Sequence, residues 1–246
     1  MKSELELPET LRGKEIVLAG GAGGLGAAAI ELLSAEGARL VVSYRKNRER
    51  AESYRDRAEV VQADLAQIAE RNRLLDAAPR IYGLVVFAGD PARVPAGADP
   101  AEAVLRSHEI NYLGPVLLAR EAAERMKASA TAGSIVLIGT MQASALFPGS
   151  TAYASQKAAL VYAARILAKE CRGPANIRVN VVSPGVTAAG MAQASIASGK
   201  YDRYLSEAVV HRFGRAEDIA RAVRFFLEPD NYITGQVLTV DGGLSL

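Results

Sequence analysis

Short apolar runs recur along the chain, and helix-forming stretches separate them. Runs without polar alternation are typical of strands buried on both faces of a parallel sheet. We predict seven strands, at residues 15–19, 39–43, 59–63, 81–87, 134–138, 177–182 and 236–240. Their regular alternation with helices predicts an α/β fold, a Rossmann-type doubly wound parallel sheet with helices on both faces.

Helix signals fill the intervals between these strands. The motif Asp99-Pro100-Ala101-Glu102 is a capping box with proline at the first helical position, and we expect its helix to run towards Gly114-Pro115. Further helices are predicted at residues 27–33, after Asp64-Leu65, and at 116–127, 153–171 and 216–227.

No composition break or internal repeat divides the chain, so residues 1–246 are predicted to form a single domain. Residues 1–13 read as a lead-in. Residues 186–213 start with small side chains of weak periodicity, which is typical of a flap over a substrate site.

The composition is that of an ordinary globular protein. Hydrophobic residues make up 50% of the 246 positions and charged residues 23%, with a formal net charge of +2. A charge so near balance implies neither a nucleic-acid partner nor a membrane surface. The acidic N-terminus is unlike a signal peptide, and no apolar stretch is long enough to span a bilayer, so a cytoplasmic location is expected.

The residues that usually bind metals are scarce. One cysteine, Cys171, leaves no internal disulfide and no cysteine cluster, and we interpret it as an inert thiol. The two histidines, His108 and His211, lie far apart in sequence. We therefore expect no metal site.

A glycine-rich turn follows the first predicted strand. Gly20, Gly23, Gly24 and Gly26, with Leu25 among them, precede a strong helix former. Strand, glycine turn and helix in this order are the context of a dinucleotide-binding fingerprint, in which the helix N-terminus supplies donors to a pyrophosphate.

The end of the second predicted strand bears on the choice of cofactor. A site for NAD usually has a carboxylate there for the ribose 2′-hydroxyl. Here the first acidic residue is Glu49, and Arg45 and Lys46 stand where a 2′-phosphate would lie. This pattern favours NADP(H), with NAD(H) as the alternative. The basic residues also fit the start of a solvated helix.

Tyr153 and Lys157 are four residues apart, so on a helix they share one face. A nearby ammonium favours the phenolate and lowers the pKa of a tyrosine. Such a pair suits proton exchange with an alcohol or a developing alkoxide. A solvated Tyr/Lys face is the alternative interpretation of the same spacing.

Together these features resemble the short-chain dehydrogenase/reductase family, and most closely its 3-oxoacyl-acyl-carrier-protein reductases. The resemblance covers about residues 10–246. The motifs that carry it are Gly20-x-x-x-Gly24-x-Gly26, Asp64-Leu65, Ala88-Gly89, Asn111, Tyr153-x-x-x-Lys157, Pro184-Gly185, Arg212-x-Gly214, Tyr232-Ile233-Thr234-Gly235-Gln236 and Val240-Asp241-Gly242-Gly243.

The resemblance implies interconversion of a ketone and a secondary alcohol. Tyr153 would exchange the proton, and Lys157 would lower its pKa and hold the nicotinamide ribose. Asn111 would anchor a water, and Thr140, thirteen residues before Tyr153, would polarise the carbonyl. The hydride is the cofactor's chemistry.

The resemblance also implies which residues line the site. The cofactor would meet Gly20, Gly23, Gly24, Leu25, Gly26, Arg45, Lys46, Asp64, Leu65, Ala88, Gly89, Tyr153, Lys157, Pro184, Gly185, Val186 and Thr187. The substrate would meet Thr140, Gln142, Tyr153 and Met191.

Three positions depart from the family pattern. Thr140 replaces the usual serine, Val86 and Phe87 replace paired asparagines, and Ala189 replaces a frequent threonine. These departures keep a second hypothesis open, in which the chain is a catalytically weakened dinucleotide-binding protein that acts as a sensor or assembly subunit.

The substrate is the least specified feature of the sequence. Mostly apolar residues follow Thr140 and Gly185, and apolar walls discriminate only modestly between substrates. By resemblance we expect a small carbonyl compound or alcohol, with a 3-oxoacyl thioester as the leading candidate. The resemblance and the apolar C-terminal tail, with Leu238, Val240, Leu244 and Leu246, favour a homotetramer over a dimer.

Overall fold

A computed structural model describes residues 10–94, 97 and 99–246. Most of the predicted lead-in, residues 1–9, lies outside these ranges. In the described part, the strands are β1 Glu15–Ala19, β2 Arg39–Tyr44, β3 Ala58–Gln62, β4 Ile81–Val86, β5 Gly133–Ile138, β6 Ile177–Pro184 and β7 Val237–Val240. The α-helices are α1 Gly24–Ala35, α2 Arg48–Glu52, α3 Ile68–Asp76, α4 Pro100–His108, α5 Gly114–Ala128, α6 Thr151–Glu170, α7 Gln193–Ala197, α8 Asp202–Ser206 and α9 Ala216–Leu227.

The seven strands form one parallel sheet in the order β3-β2-β1-β4-β5-β6-β7. The predicted architecture is confirmed. The chain order reverses between β1 and β4, and in such sheets ligands bind beyond the carboxyl ends of the strands at this reversal. The glycine turn after β1 and the Ala88-Gly89 turn after β4 both lie there.

Successive residues of the central strands point to opposite faces of the sheet and so belong to two separate hydrophobic cores. Val17 and Leu84 belong to the core that contains buried residues of α3, α5 and α6. Ile16 and Val85 belong to the core beneath α1 and α9. The sheet is therefore covered on both faces, which explains why its strands are continuous apolar runs.

The region around Pro115 differs from the prediction of a break between two helices. The chain continues from α4 through a π-helical turn, Glu109–Leu113, directly into α5. Pro115 lies in the first turn of α5, where its fixed φ suits the helical backbone. A Cβ on Gly114 would lie 2.9 Å from the Leu65 Cβ, so glycine allows this turn to approach the loop after β3.

The predicted flap, residues 186–213, has more local structure than its weak periodicity indicates. It contains a 3₁₀ turn, Gly190–Ala192, and the short helices α7 and α8. Its two ends are joined by a parallel bridge between Thr187 and Gly214. The flap is thus a loop whose two ends lie side by side.

Candidate active site

Helix α6 carries Tyr153 and Lys157 to the carboxyl end of the sheet. Alanine and other good helix formers dominate its sequence, and Ser150 precedes it as the N-cap. The helix packs against β6, and its buried residues include Lys157 and Leu160. The predicted shared face is therefore turned towards the sheet and away from solvent.

Lys157 is a buried cation. Its side chain is 2% exposed, and Nζ donates to the Ile138 carbonyl at 2.8 Å. Removal from water disfavours the ammonium, so burial lowers the pKa of Lys157 to about 7. Lys157 can therefore change its charge near neutral pH.

Tyr153 and Thr140 bring two hydroxyls together. Burial of the phenol raises the pKa of Tyr153 to about 12, and a hydrogen bond with Thr140 opposes the rise. The sequence led us to expect a lowered pKa, with Lys157 as its cause. In this structure the pKa moves the other way, because desolvation of the phenol outweighs the favourable contacts.

Asn111 lies in the π-helical turn, and its side chain is fully buried. Its Oδ1 accepts from the Asp90 amide at 3.0 Å, and its Nδ2 donates to the Asp90 carbonyl at 2.8 Å and to Ser107 Oγ at 3.0 Å. Such turns often occur at functional sites because they redirect side chains without ending the helix. Here the turn orients Asn111 towards the loop after β4.

Gly89 marks the point where these elements meet. A Cβ built there would lie 3.3 Å from Asn111 Oδ1, 3.5 Å from Met191 Cε and 3.8 Å from Lys157 Nζ. The fold therefore brings Asn111, Lys157 and the flap residue Met191 around one small residue.

At three positions of the turn after β1, glycine is required for a different structural reason. Gly20 has a φ of +71°, which L side chains rarely adopt, and its N–H donates to Ser43 Oγ at 2.9 Å. A Cβ on Gly24 would lie 2.3 Å from the Gly190 nitrogen. A Cβ on Gly26 would lie 2.2 Å from the Gly21 carbonyl oxygen, so this glycine allows α1 to pack on the turn.

A groove of about 350 Å³ runs from this turn along the ends of β2, β3 and β4. We call this cavity the cofactor groove. It is lined by Gly20, Ala22, Gly23, Gly24, Leu25, Gly26, Ser43, Tyr44, Arg45, Lys46, Asn47, Arg50, Ala63, Asp64, Leu65, Ala66, Phe87, Ala88, Gly89, Glu109, Ile110, Gly190 and Met191. All the cofactor residues predicted up to Gly89 are therefore brought together.

The groove suits a dinucleotide phosphate. It combines the N-terminus of a twelve-residue helix, α1, with a mouth that contains three cations, Arg45, Lys46 and Arg50. Its acidic residues, Asp64 and Glu109, lie elsewhere along the cavity, and the end of β2 has no carboxylate. Arg50 adds to the predicted pair because α2 begins at Arg48, after the Asn47 cap.

Of the other predicted residues, Met191 lines the groove, and the rest lie outside its lining. Pro184 ends β6 and Gly185, Val186 and Thr187 follow it, with Val186 and Thr187 buried at the start of the flap. Their cofactor role remains a prediction. Gln142 lies in the 3₁₀ turn after Thr140 and accepts a hydrogen bond from Ser150.

Sequence reasoning missed several residues of this region. Ser107 supports Asn111 and also donates to the Ala152 carbonyl at 2.5 Å, and so connects α4 with α6. Arg93 contacts the flap. Ser107 is one turn before Asn111 on the same helical path, a spacing that could have identified it. No local pattern marks Arg93.

A larger cavity, of about 880 Å³, lies at the opposite end of the sheet and has a polar lining. Arg178 there is 4% exposed and donates to the carbonyls of Phe226 and Glu228, both at 2.8 Å. Its hydrogen bonds thus join β6 to the end of α9. None of the predicted catalytic residues lines this cavity.

Within residues 10–94, 97 and 99–246, no group of three or more His, Cys, Asp or Glu side chains could hold a metal ion. In the same part of the chain, no helix has the length and apolar character needed to cross a membrane.

Comparison with known proteins identifies the family. Residues 20–245 match a family model described as enoyl-(acyl carrier protein) reductase. The chain is 34% identical to an uncharacterized oxidoreductase of Methylorubrum extorquens, over 95% of this chain and 98% of that protein. This chain belongs to the short-chain dehydrogenase/reductase family.

Two further likenesses agree with this membership. The chain is 30% identical to the NADPH-dependent aldehyde reductase 2, chloroplastic, of Arabidopsis thaliana, over 97% of this chain and 96% of that protein. The solved structure of a short-chain type dehydrogenase/reductase from Mycobacterium ulcerans superposes with a TM-score of 0.87 at 25% identity, and covers 96% of this chain and 91% of that one. The chain is accordingly an oxidoreductase of the type that acts on carbonyl groups with NAD(P)(H).

Proposed function

We propose that this short-chain dehydrogenase/reductase uses NADPH to reduce a ketone to a secondary alcohol, and can run the reverse reaction. The observation that carries the proposal is the assembly of Thr140, Tyr153, Lys157 and Asn111 at the carboxyl end of the sheet, beside a groove with a basic mouth. In such sheets a dinucleotide binds beyond the carboxyl ends of the strands, so proton transfer to the substrate is needed at this end.

The chain's own residues would handle the proton and the developing charge. With a pKa of about 12, Tyr153 keeps its proton at neutral pH and can donate it to an alkoxide oxygen. The Thr140 hydroxyl next to it can donate to the same oxygen. Lys157, when charged, stabilises the phenolate that remains. A bound nicotinamide would supply the hydride.

The cofactor preference rests on the mouth of the groove. Arg45 and Lys46 are exposed there, and a guanidinium matches the geometry of a phosphate. The NADPH-dependent relative adds support at low identity. The end of β2 has no carboxylate that would repel the 2′-phosphate of NADPH. Use of NADH, which lacks this phosphate, stays the alternative.

We propose a 3-oxoacyl thioester as the leading substrate, on overall resemblance. Met191 lines the groove and contributes an apolar side chain there. Arg165, Lys169 and Arg172 are exposed on and just after α6 and could meet an acidic carrier protein, although an ordinary helix surface would look the same. The family model's description makes enoyl reduction a necessary comparison.

The second hypothesis is a dinucleotide-binding protein with little turnover. Phe87 lines the groove where the family pattern has an amide, and Val86 is buried in the core. Polar support for the cofactor would then depend on the Asn111–Asp90 pair alone. This hypothesis predicts NADPH binding without oxidation by any ketone.

The test is NADPH oxidation by acetoacetyl thioester, a small cyclic ketone, a sterol ketone and a 2-enoyl thioester. We expect the oxo thioester to be fastest, and Tyr153→Phe to lose about 10²–10⁴-fold in turnover while NADPH affinity stays within a few-fold. Turnover of Tyr153→Phe at the wild-type rate would refute the proton role. Binding without turnover of any substrate would favour the second hypothesis.

We further propose a homotetramer in the cytoplasm as the working state. The tetramer is supported by the family resemblance and by exposed apolar residues on β7 and α6.

A further inference from the structure

The flap lies across one end of the cofactor groove. The Gly190 backbone fits against Gly24, since a Cβ on Gly24 would be 2.3 Å from the Gly190 nitrogen and 2.5 Å from its Cα. The Met191 methyl group lies beside Gly89, on the side occupied by Asn111 and Lys157. The groove lining reaches Met191 but includes none of Thr140, Tyr153 and Lys157. The lining thus ends at Gly89 and Met191, beside Asn111 and Lys157.

One arginine from outside the flap holds it there. Arg93 lies in the loop after β4, and its Nη2 donates to the Met191 carbonyl at 3.2 Å and to Ser195 Oγ at 3.3 Å. These contacts hold the flap at the middle of the 3₁₀ turn and within α7. Because a guanidinium has several donors in a rigid plane, it can hold two points of the flap at once.

The same arginine is connected to the catalytic residues through its own backbone. Arg106 on α4 donates to the Arg93 carbonyl at 3.0 Å, and its Nε lies 3.5 Å from Asp90 Oδ2. Asp90 exchanges two hydrogen bonds with Asn111. The flap, the loop after β4 and the π-helical turn are thus joined by contiguous polar contacts.

We propose that Arg93 is a positioning residue that latches the flap over the catalytic end of the groove, and that Met191 fills space which a dinucleotide must enter to reach Lys157. The inference rests on the proposed cofactor. Binding of NADPH requires release of the latch and withdrawal of Met191. The latched state therefore reduces apparent cofactor affinity by the fraction of molecules that are latched.

The proposal predicts that removal of the Arg93 charge changes NADPH affinity in the direction opposite to that expected for a phosphate contact. If Arg93 contacted a cofactor phosphate, Arg93→Gln would weaken NADPH binding. If Arg93 is the latch, the same substitution frees the flap and tightens binding, about three- to tenfold for the loss of two exposed hydrogen bonds. Arg93→Lys keeps the charge but not the two-point grip, so its affinity should lie between those of wild type and Arg93→Gln.

The latch itself can be tested without cofactor. Amide hydrogen exchange of peptides covering residues 188–200 is measured in wild type, Arg93→Gln and the control Arg120→Gln. Arg120 is an exposed arginine on α5 that pairs with Glu170, far along the chain from the flap. We expect faster flap exchange in Arg93→Gln alone. Unchanged exchange would overturn the latch.

The blocking role of Met191 is tested by NADPH titration of Met191→Ala, followed by nicotinamide fluorescence. Tighter binding, with flap exchange near that of wild type, supports the proposal. Weaker binding by Met191→Ala or Arg93→Gln overturns it, because either residue would then be a cofactor contact. If wild type binds no NADPH at all, the proposed function fails and the gating of cofactor entry fails with it, whereas the exchange result still decides whether Arg93 holds the flap.

Discussion

Tyr153 and Lys157 show how burial, more than proximity, sets the chemistry of a residue pair. Both groups lose water, and each shifts towards its neutral form: the pKa of Tyr153 to about 12 and that of Lys157 to about 7. A neutral phenol is the form needed to donate a proton. The pair is therefore prepared for reduction at neutral pH, with Lys157 as its titrating member.

This assignment predicts the pH dependence of reduction. A lysine whose pKa is lowered to about 7 is charged below that pH and neutral above it, while Tyr153 stays protonated throughout. Because a charged Lys157 stabilises the phenolate, kcat/KM for an uncharged ketone should fall as pH rises through about 7. The measurement is a profile from pH 5.5 to 9.5.

The control for this profile is His108→Gln. His108 is the histidine near the site, with Nδ1 3.0 Å from Gln156 Oε1 on α6. The variant should keep the decline. A profile that becomes flat in His108→Gln would assign the decline to the histidine, and a flat wild-type profile would contradict the role given to Lys157.

Arg45 carries the prediction on cofactor choice. It is exposed at the mouth of the groove, so Arg45→Gln should weaken NADPH by about 1–3 kcal/mol and leave NADH nearly unchanged. Arg48→Gln is the matched control, because Arg48 is outside the groove lining and pairs with Glu52 at 3.4 Å. Equal losses for both cofactors would show that Arg45 does not contact the 2′-phosphate.

Among the secondary-structure elements, those with a strong local pattern could be predicted from the sequence. The start of each strand was within one residue of its observed position, because a central strand must be apolar on both faces. Helix α9 was predicted at its observed bounds, since its apolar face is well marked. The glycine turn and the Tyr153 helix were equally identifiable.

Features that depend on contacts between distant segments were not predictable. The π-helical turn at Glu109–Leu113 requires the approach of Gly114 to Leu65, which no local pattern reveals. Arg93 meets Met191 only because two loops converge. The direction of the Tyr153 pKa shift depends on how deeply the fold buries the phenol, and the spacing of Tyr153 and Lys157 does not reveal that burial.

The end of the flap and the start of α9 are joined by one carboxylate. Asp218 accepts from the Arg215 amide at 2.8 Å and from two Arg212 nitrogens at 2.7 and 3.1 Å. These contacts, with the Arg212 hydrogen bond foremost, hold the pKa of Asp218 well below its usual range. The stabilisation they contribute is fully present above the ordinary carboxyl pKa of 3.8 and is lost progressively as pH falls from there through the lowered pKa.

Asp218→Asn should therefore lower the free energy of unfolding at pH 7 by about 1–2 kcal/mol, because charge-assisted hydrogen bonds to Arg212 are lost. The difference from wild type should shrink in acid. Urea unfolding at pH 7 and pH 3 measures both. Glu217→Gln removes an equal charge from the same turn and should lower the free energy of unfolding by less. Equal losses in the two variants would attribute the effect to the helix dipole.

At the scale of the whole molecule, the exposed apolar side chains of the described residues include two groups that bear on assembly. The first, at the sheet edge, comprises Val237 and Leu238 of β7 with the C-terminal Leu246. The second comprises Tyr162 and Ile166 on α6, which are 68% and 46% exposed. An open edge strand with apolar side chains invites association, and two distinct self-complementary surfaces on one chain produce a tetramer of twofold symmetry.

Light scattering should then give the mass of four 26.0 kDa chains at micromolar concentration. Leu238→Lys places a charge at the sheet edge, and Ile166→Glu does so on α6, so each should disrupt one surface and yield dimers of different kinds. The double variant should be monomeric, with unchanged circular dichroism, because both side chains are partly exposed in the folded chain. A wild-type monomer would refute the tetramer, and a tetramer that survives both substitutions would show that other surfaces build it.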